Sequence, residues 1–149
     1  MSNIRLTKEF KFEMAHALAG YDGPCRHIHG HSYEFFVTIT GQPITDANHP
    51  HYGMVMDFRE LKTLVRAQIV DEFDHSLVLQ RNTAPDPLIN LNDFVGRLIL
   101  VDYQPTSENL LIDFAERISK HLPDNIRLFS LKLCETVTSY AEWYASDND

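Results

Sequence analysis

The chain opens on an alternating segment, Ile4-Arg-Leu-Thr-Lys-Glu-Phe-Lys-Phe-Glu-Met-Ala-His16, from which the rest of the architecture can be worked out. With one lysine as the exception, its apolar residues share one parity and its polar residues the other, which predicts a half-buried β-strand. Residues 28–41 alternate in the same way, and His29 and His31 extend the apolar parity of that strand backwards. Side chains two residues apart on a strand point to one face. His16, His29 and His31 can therefore converge if the two strands pair.

The remaining periodicities predict two helices and two further strands. A capping box at Asp57 and Glu60 begins the first helix, whose apolar spacing runs to Phe73. Residues 105–107 begin the second helix, and Pro123 ends it. Strands are expected at 127–135 and 139–145, while 97–101 is either a short strand or part of an insertion. The order ββααββ predicts an α+β fold with two helices on one face of a four-stranded antiparallel sheet.

Composition restricts the classes of function. With 13 basic and 21 acidic residues the net charge is −8, which argues against a nucleic-acid partner because phosphate contacts need clustered cations. We see neither a secretory signal nor an apolar run long enough to span a bilayer, so we expect no membrane partner and a cytoplasmic protein. Two cysteines cannot form a four-cysteine zinc site, so histidines, of which there are eight, would supply most metal ligands.

The segment Cys25-Arg-His-Ile-His-Gly-His31 carries the most specific pattern. Catalytic zinc commonly takes three protein ligands and leaves one position open, and His16, His29 and His31 could be those three. His27 shares the parity of the last two, so geometry alone does not exclude it. The simpler alternative is a histidine-rich strand end that binds nothing.

Three other positions carry chemistry with open alternatives. Cys25 lies in a turn-rich loop beside a cation, so it could be a fourth ligand, a nucleophile, a base or an inert thiol, whereas Cys134 lies within a strand and is interpreted as structural. Asp74-His75 could transfer protons, but spacing alone favours a histidine that complements the dipole at a helix end. Glu135 ends an apolar strand face, where it could pair with a cation, protrude beyond the sheet or bind a guanidine-like edge of a pterin or guanine.

Taken together, the motifs resemble the 6-pyruvoyl-tetrahydropterin synthase / 6-carboxy-tetrahydropterin synthase family. They occur in the family's order and cover nearly all of the chain. They are Phe12-Glu-Met-Ala-His16, Cys25-x-x-x-His29-Gly-His31, Met56-Asp-Phe-Arg-Glu-Leu-Lys62, Asp74-His75, Pro105-Thr-Ser-Glu-Asn-Leu110, Cys134-Glu-Thr136 and Thr138-Ser-Tyr-Ala-Glu142.

The resemblance implies a single domain, 1–149, with the tunnelling fold, in which the sheets of three subunits join in a barrel and two trimers stack as a homohexamer. It implies zinc on His16, His29 and His31, and a catalytic Cys25 thiolate that acts as a general base. Asp74 and His75 would complete the proton-transfer set at an active site shared between subunits. Glu135 would anchor the pterin ring, with three further residues near the pocket: Thr106, Ser107 and Glu108.

The spacing C-x-x-x-H-G-H resembles the 6-carboxy-tetrahydropterin synthase branch, which feeds queuosine and other 7-deazapurines. That branch implies zinc-dependent conversion of 7,8-dihydroneopterin triphosphate to 6-carboxy-5,6,7,8-tetrahydropterin, with loss of acetaldehyde and triphosphate. The rivals are a 6-pyruvoyl-tetrahydropterin synthase and a non-catalytic zinc- or pterin-binding relative. Two segments, 42–53 and 82–103, look like insertions. Candidate cations for the triphosphate are Arg26, Lys62, Arg66 and Arg81.

Overall fold

A six-stranded sheet with helices against one face forms the frame of the protein. The computed structural model describes residues 1–83 and 93–149. The strands are β1 (Ile4–His16), β2 (His29–Gly41), β3 (Ser76–Gln80), β4 (Leu98–Val101), β5 (Arg127–Cys134) and β6 (Tyr140–Tyr144). The helices are α1 (Phe58–Val65), α2 (Asp71–Phe73) and α3 (Ser107–Ser119), and short 3₁₀ turns occupy Pro24–Arg26 and Ala145–Asp147.

The strand order is β4-β3-β1-β2-β5-β6. Its β1-β2-β5-β6 part is the predicted antiparallel sheet, but the expected strand count of four was wrong. Strand β3 pairs with the end of β1 in parallel, and β4 pairs with β3 in parallel. Most of β3 is buried on both faces, so its sequence shows none of the alternation that reveals a half-buried strand. For residues 97–101 the sequence allowed either a short strand or part of an insertion, and Leu98–Val101 form strand β4.

The long β1–β2 ladder confirms the pairing on which the predicted histidine cluster depends. Its register runs from Ile4 opposite Gly41 to His16 opposite His29, with Met14 opposite His31. Because apolar side chains of both strands share the helix-facing side, the histidines at the strand ends continue that same face.

Aromatic packing holds the helices against the sheet. The ring of Phe114, from α3, lies edge-on to Phe12 and Phe35 of the sheet and to Phe73 of α2, with ring centroids 5.0–6.4 Å apart. These aromatic contacts join the helices to the sheet that carries the histidines.

The first predicted helix is not uniform, since a π-helical turn, Arg66–Val70, separates α1 from α2.

The two expected insertions differ in how they are built. Residues 42–53 form a loop closed by hydrogen bonds between Ile44 and both Gly53 and Met54. In the second, 82–103, residues 84–92 lie outside the described part of the chain, and the remainder includes β4. Across the described ranges, none of the helices combines the length and apolar character needed to cross a bilayer.

Candidate metal centre and active site

Three histidines converge where β1 and β2 end. The ligand nitrogens of His16, His29 and His31 all lie within 4.8 Å of one another. His16 is buried and the other two are partly exposed. Within the described residues, this is the cluster whose donor atoms approach closely enough to hold a metal ion, and His27 does not belong to it.

Backbone carbonyls fix the tautomers of two of these rings. His16 Nδ1 lies 2.7 Å from the carbonyl oxygen of Pro105, and His29 Nδ1 lies 2.7 Å from that of His27. A carbonyl only accepts, so both Nδ1 atoms donate and the lone pairs of the neutral rings reside on Nε2. Such an outer contact is the usual companion of a metal-ligating histidine.

The donor set fits a divalent cation. The Nε2 atoms of His16 and His29 lie 3.0 Å apart, although neither neutral ring has a proton to place between them. The Nε2 of His31 is buried without a hydrogen-bond partner among the described residues, and burial lowers the pKa of this ring, with the other two histidines adding to the effect against Glu135. Three neutral imidazoles with converging lone pairs are a ligand set for zinc and similar metals.

Glu135 reaches the cluster from the end of β5. Its Oε1 lies 3.4 Å from the Nε2 of both His16 and His31. The neighbouring His16 side chain lowers the pKa of the Glu135 carboxyl, and the other two clustered histidines lower it further, against the effect of partial burial. The sequence allowed Glu135 to pair with a cation, to protrude beyond the sheet or to bind a ligand. Among the described residues, its carboxylate contacts the histidine cluster and no Lys or Arg.

Tyr33 lies beneath the histidines, and sequence reasoning assigned it only to the apolar face of β2. Its ring stacks on Phe12 at 5.2 Å and lies 5.5 Å from the His31 ring. Its hydroxyl is buried and has no hydrogen-bond partner in the described chain. Burial raises the pKa of Tyr33, and the charges of Glu135 and Cys25 raise it further. In the sequence, the signal for Tyr33 was a side chain with a hydroxyl among the apolar residues on one face of β2.

Cys25 lies in the 3₁₀ turn between the two long strands. The carbonyl of Cys25 accepts a hydrogen bond from Leu18 N at 3.0 Å, which ties the turn to the segment after β1. The thiol is free and partly exposed. It is not a member of the cluster formed by the described metal-binding side chains.

Asp74 and His75 occupy a tight turn after α2. Asp74 Oδ1 accepts from Glu13 N at 2.9 Å and lies 3.0 Å from His75 Nδ1. His75 adopts a left-handed backbone with φ 59° and donates its N–H to the Glu13 carbonyl. The turn therefore pairs the two neighbouring side chains, which spacing alone had argued against.

His75 faces an open cavity that adjoins the histidine cluster. Its side chain is 79% exposed and lines this cavity of about 330 Å³. Glu13, Gly30 and Ser32, whose parity on β1 and β2 is opposite to that of the clustered histidines, also line it, and so does His31 of the cluster. Among the described contacts, no hydrogen bond or ion pair links Asp74 or His75 to Cys25. The predicted proton-transfer set of Cys25, Asp74 and His75 therefore stays a prediction, of which the described contacts show the Asp74–His75 pair.

Comparison with known proteins identifies the family. The model of the family described as "6-pyruvoyl tetrahydropterin synthase" matches residues 5–146. The chain belongs to this family. It is 32% identical to the 6-carboxy-5,6,7,8-tetrahydropterin synthase of Haemophilus influenzae, over 94% of this chain and 98% of that one. It is also 32% identical to the Rickettsia typhi protein of the same name, over 93% and 99%. The predicted resemblance and assignment as a lyase-type enzyme are confirmed.

Solved structures show the same fold in members of the pterin synthase family. The 6-pyruvoyl tetrahydropterin synthase of Caenorhabditis elegans superposes with a TM-score of 0.67 at 21% identity, covering 97% of both chains. An uncharacterized protein from Wolinella succinogenes superposes with a TM-score of 0.76 at 18% identity, covering 97% of this chain and 99% of that one. The tunnelling fold is thereby confirmed for the protomer.

The family's Pro-Thr-Ser-Glu motif lies at the start of α3. Thr106 caps the helix by accepting from Asn109 N at 3.2 Å. Ser107 is buried and its hydroxyl has no partner within the described residues, whereas Glu108 is exposed. Since Pro105 holds His16, this motif has a structural connection to the cluster in addition to its predicted place near the pterin pocket.

The predicted triphosphate cations occupy different surroundings. Arg66 lies 3.5 Å from Asp71, and Arg81 lies 3.0 Å from Asp102. Lys62 is on α1, while Arg26 shares the 3₁₀ turn with Cys25. Arg26 is therefore the cation of this set closest along the chain to the predicted catalytic thiol.

Proposed function

We propose that this chain is a zinc-dependent 6-carboxy-5,6,7,8-tetrahydropterin synthase of the queuosine-pathway branch. It converts 7,8-dihydroneopterin triphosphate and water to 6-carboxy-5,6,7,8-tetrahydropterin, acetaldehyde and triphosphate. The observation that carries the proposal is the convergence of His16, His29 and His31 with two Nδ1 atoms committed to carbonyls. The names of the relatives from Haemophilus influenzae and Rickettsia typhi support this branch.

The three histidines would hold the zinc ion through their Nε2 atoms. Bound zinc supplies Lewis-acid stabilisation of the negative charge that develops on substrate oxygen, without redox chemistry of its own. The hydrogen bonds from His16 to Pro105 and from His29 to His27 keep both rings oriented. This preorganisation lowers the cost of arranging the site at the moment of reaction.

Glu135 would receive the pterin ring. The ring presents adjacent N–H donors on its guanidine-like edge, which a carboxylate can accept in a bidentate manner. Because Glu135 Oε1 lies 3.4 Å from two of the clustered histidines, a ring anchored there has its side chain within reach of the cluster. This supports Glu135 as the ring anchor, with Thr106, Ser107 and Glu108 near the pocket.

Proton transfer would combine residues of two subunits. The Cys25 thiolate removes a proton from the substrate side chain, and His75, oriented by Asp74, returns or relays one. His75 is 79% exposed, and no hydrogen bond or ion pair among the described residues joins it to Cys25. An exposed His75 is accessible to a neighbouring subunit, which supports an active site shared between subunits, in a homohexamer built as a dimer of trimers.

The proposed unit is one pterin synthase domain, 1–149. The triphosphate would lie toward Arg26, in the turn that carries Cys25. A local cation at this point offsets the net charge of −8, which is unfavourable for a triphosphate elsewhere on the surface.

Product identification tests the proposal. Zinc-loaded protein is incubated with 7,8-dihydroneopterin triphosphate, and the products are identified by mass spectrometry with acetaldehyde trapped as a hydrazone. We expect equal amounts of 6-carboxy-tetrahydropterin and acetaldehyde. Loss of triphosphate without acetaldehyde would assign the 6-pyruvoyl reaction instead. Zinc-loaded protein that binds the compound unchanged would overturn the enzymatic proposal and favour a non-catalytic binding role.

A further inference from the structure

The Tyr33 hydroxyl is a buried polar group without a hydrogen-bond partner. The residue is 1% exposed, and no described side chain or backbone group bonds its Oη. Its ring is fixed by stacking on Phe12, which is also its partner in the β1–β2 register. Buried tyrosine hydroxyls normally have a partner, and an unpaired one costs stability.

Tyr103 is a second tyrosine with restricted exposure, and its hydroxyl does have a hydrogen-bond partner. Its hydroxyl donates to Asp113 Oδ2, and Asp113 in turn accepts from Arg117 Nε at 2.8 Å. A phenylalanine in place of Tyr33 would keep the ring packing and avoid the unpaired hydroxyl. The presence of a hydroxyl on Tyr33 therefore has to be explained by the groups around it in the site.

Tyr33 lies beside the histidine cluster that Glu135 also contacts. Its ring centroid is 5.5 Å from that of His31, two residues earlier on the same face of β2, and 6.3 Å from that of His16. Glu135 Oε1 lies 3.4 Å from the Nε2 atoms of the same two histidines. The hydroxyl therefore belongs to the neighbourhood of a ligand that contacts Glu135 and the histidines.

Other unpartnered polar atoms come from the segments around this region. The buried side-chain atoms without partners in the described chain are His31 Nε2, Tyr33 Oη and Ser107 Oγ. Ser107 follows Pro105, whose carbonyl bonds His16. Buried polar groups left unpaired on the segments that carry a candidate site are expected where a polar ligand completes the site.

We propose that Tyr33 is a substrate-binding residue whose hydroxyl donates a hydrogen bond to the O4/N5 edge of the pterin ring. This inference rests on the proposed function, because it takes Glu135 as the anchor of the N–H edge. In a dihydropterin, carbonyl O4 and imine N5 are acceptors and lie between that N–H edge and the side chain at C6. A donor on the side chain next to His16 and His31 would lie along this acceptor edge of a ring held by Glu135.

The test compares two tyrosine-to-phenylalanine substitutions. Tyr33→Phe removes an unpaired hydroxyl, whereas Tyr103→Phe removes a paired one. The zinc-loaded proteins are titrated with neopterin by calorimetry, and melting temperature and zinc content are measured without ligand. For Tyr33→Phe we expect neopterin affinity to fall about 5- to 10-fold, the value of one hydrogen bond, with unchanged zinc content and an equal or higher melting temperature. For Tyr103→Phe we expect unchanged affinity and a lower melting temperature.

Two outcomes separate this inference from the proposed function. If wild-type protein binds neopterin and turns over 7,8-dihydroneopterin triphosphate, but Tyr33→Phe binds neopterin as tightly, the inference is wrong and the function stands. A lower melting temperature of Tyr33→Phe with unchanged affinity also overturns it, since the hydroxyl would then be structural. Wild-type protein that binds no neopterin would overturn the ring-binding proposal and the Tyr33 inference together.

Discussion

The Nε2 atoms of His16 and His29 lie 3.0 Å apart, although each ring already donates from Nδ1 to a backbone carbonyl. Two neutral rings in these tautomers direct lone pairs at one another. A divalent cation held by His16, His29 and His31 would remove that repulsion by accepting a lone pair from each ring. The folded chain thus prepares the arrangement that metal binding stabilises.

Metal removal should destabilise the protein, and one histidine pair tests this directly. With free zinc at about 100 times its dissociation constant, binding to the folded state adds about 2.7 kcal/mol to the free energy of unfolding. His29→Ala should lose this stabilisation and its stoichiometric zinc, as measured by thermal melts with and without chelator and by elemental analysis. His27→Ala should keep both, since His27 contributes its backbone carbonyl. Equal zinc contents in the two variants would contradict the ligand assignment.

The two cysteines should differ sharply in their effect on activity. Burial raises the pKa of the Cys134 thiol, against the effect of Lys132, so at neutral pH it is a poor thiolate. Cys25 lies in the 3₁₀ turn between β1 and β2, where its thiol is free and partly exposed. We expect Cys25→Ala to lower kcat by about 10²–10⁴-fold, the usual contribution of a general base, and Cys134→Ala to stay within about twofold of wild type. Full activity of Cys25→Ala would remove the thiol from the mechanism.

Sequence patterns predicted the elements that are half buried. Strands β1 and β2 alternate, so their faces, their pairing and the convergence of His16, His29 and His31 could all be inferred from residue spacing. Strand β3 could not, because burial on both faces removes the alternation. The π-helical turn after α1 was not predicted either, because the apolar residues keep nearly helical spacing through it.

The site was less predictable where it depends on local backbone geometry or on tertiary neighbours. The pairing of Asp74 with His75 requires the left-handed backbone of His75, which no sequence rule assigns to a histidine. The partner of His16 Nδ1 is a carbonyl 89 residues away, at Pro105. The missing partner of the Tyr33 hydroxyl is a property of the folded core alone. Residue identity gave the candidate ligands, and tertiary structure gives their orientation.

The left-handed conformation of His75 should separate stability from activity. A non-glycine residue at φ 59° is strained, and glycine adopts this region freely. His75→Gly should therefore keep or raise the melting temperature while lowering kcat by about 10²-fold or more through loss of the imidazole. A fall in melting temperature together with full activity would show that the ring is structural. Circular dichroism melts and steady-state turnover measure the two quantities.

Among the partly exposed residues, Arg117 should contribute strongly to the free energy of unfolding. Its guanidinium lies 2.6 Å from Glu72 and 2.8 Å from Asp113, and lies over the Phe73 ring, so it joins α3 to α2. Arg117→Ala should lower the free energy of unfolding by about 2 kcal/mol, less than a fully buried pair because the side chain is partly exposed. Lys120→Ala, which removes an exposed pair with Glu116, should cost under about 0.5 kcal/mol. Urea denaturation compares them, and equal losses would contradict the assigned role of Arg117.

The turn at Asp74 should make stability depend on acid. Burial alone would raise the pKa of Asp74, but the Glu13 amide and the His75 side chain lower it overall. A carboxyl with a lowered folded-state pKa contributes its stability above the unfolded pKa, about 4, and loses it as pH falls through the folded value. Asp74→Ala should cost about 1 kcal/mol at pH 7, the value of one hydrogen bond at a partly exposed group, and urea titrations should show a smaller gap as the pH falls below the unfolded value.

Asp74→Asn is the matched control, because its side-chain oxygen still accepts from the Glu13 amide. Its difference from wild type should vanish in acid, where wild-type Asp74 is itself neutral. The Asp74→Ala difference should fall only to the residual cost of the unpaired Glu13 amide. If both differences stayed constant from pH 7 to pH 2, ionisation of Asp74 would contribute nothing, and the turn would depend on an uncharged hydrogen bond alone.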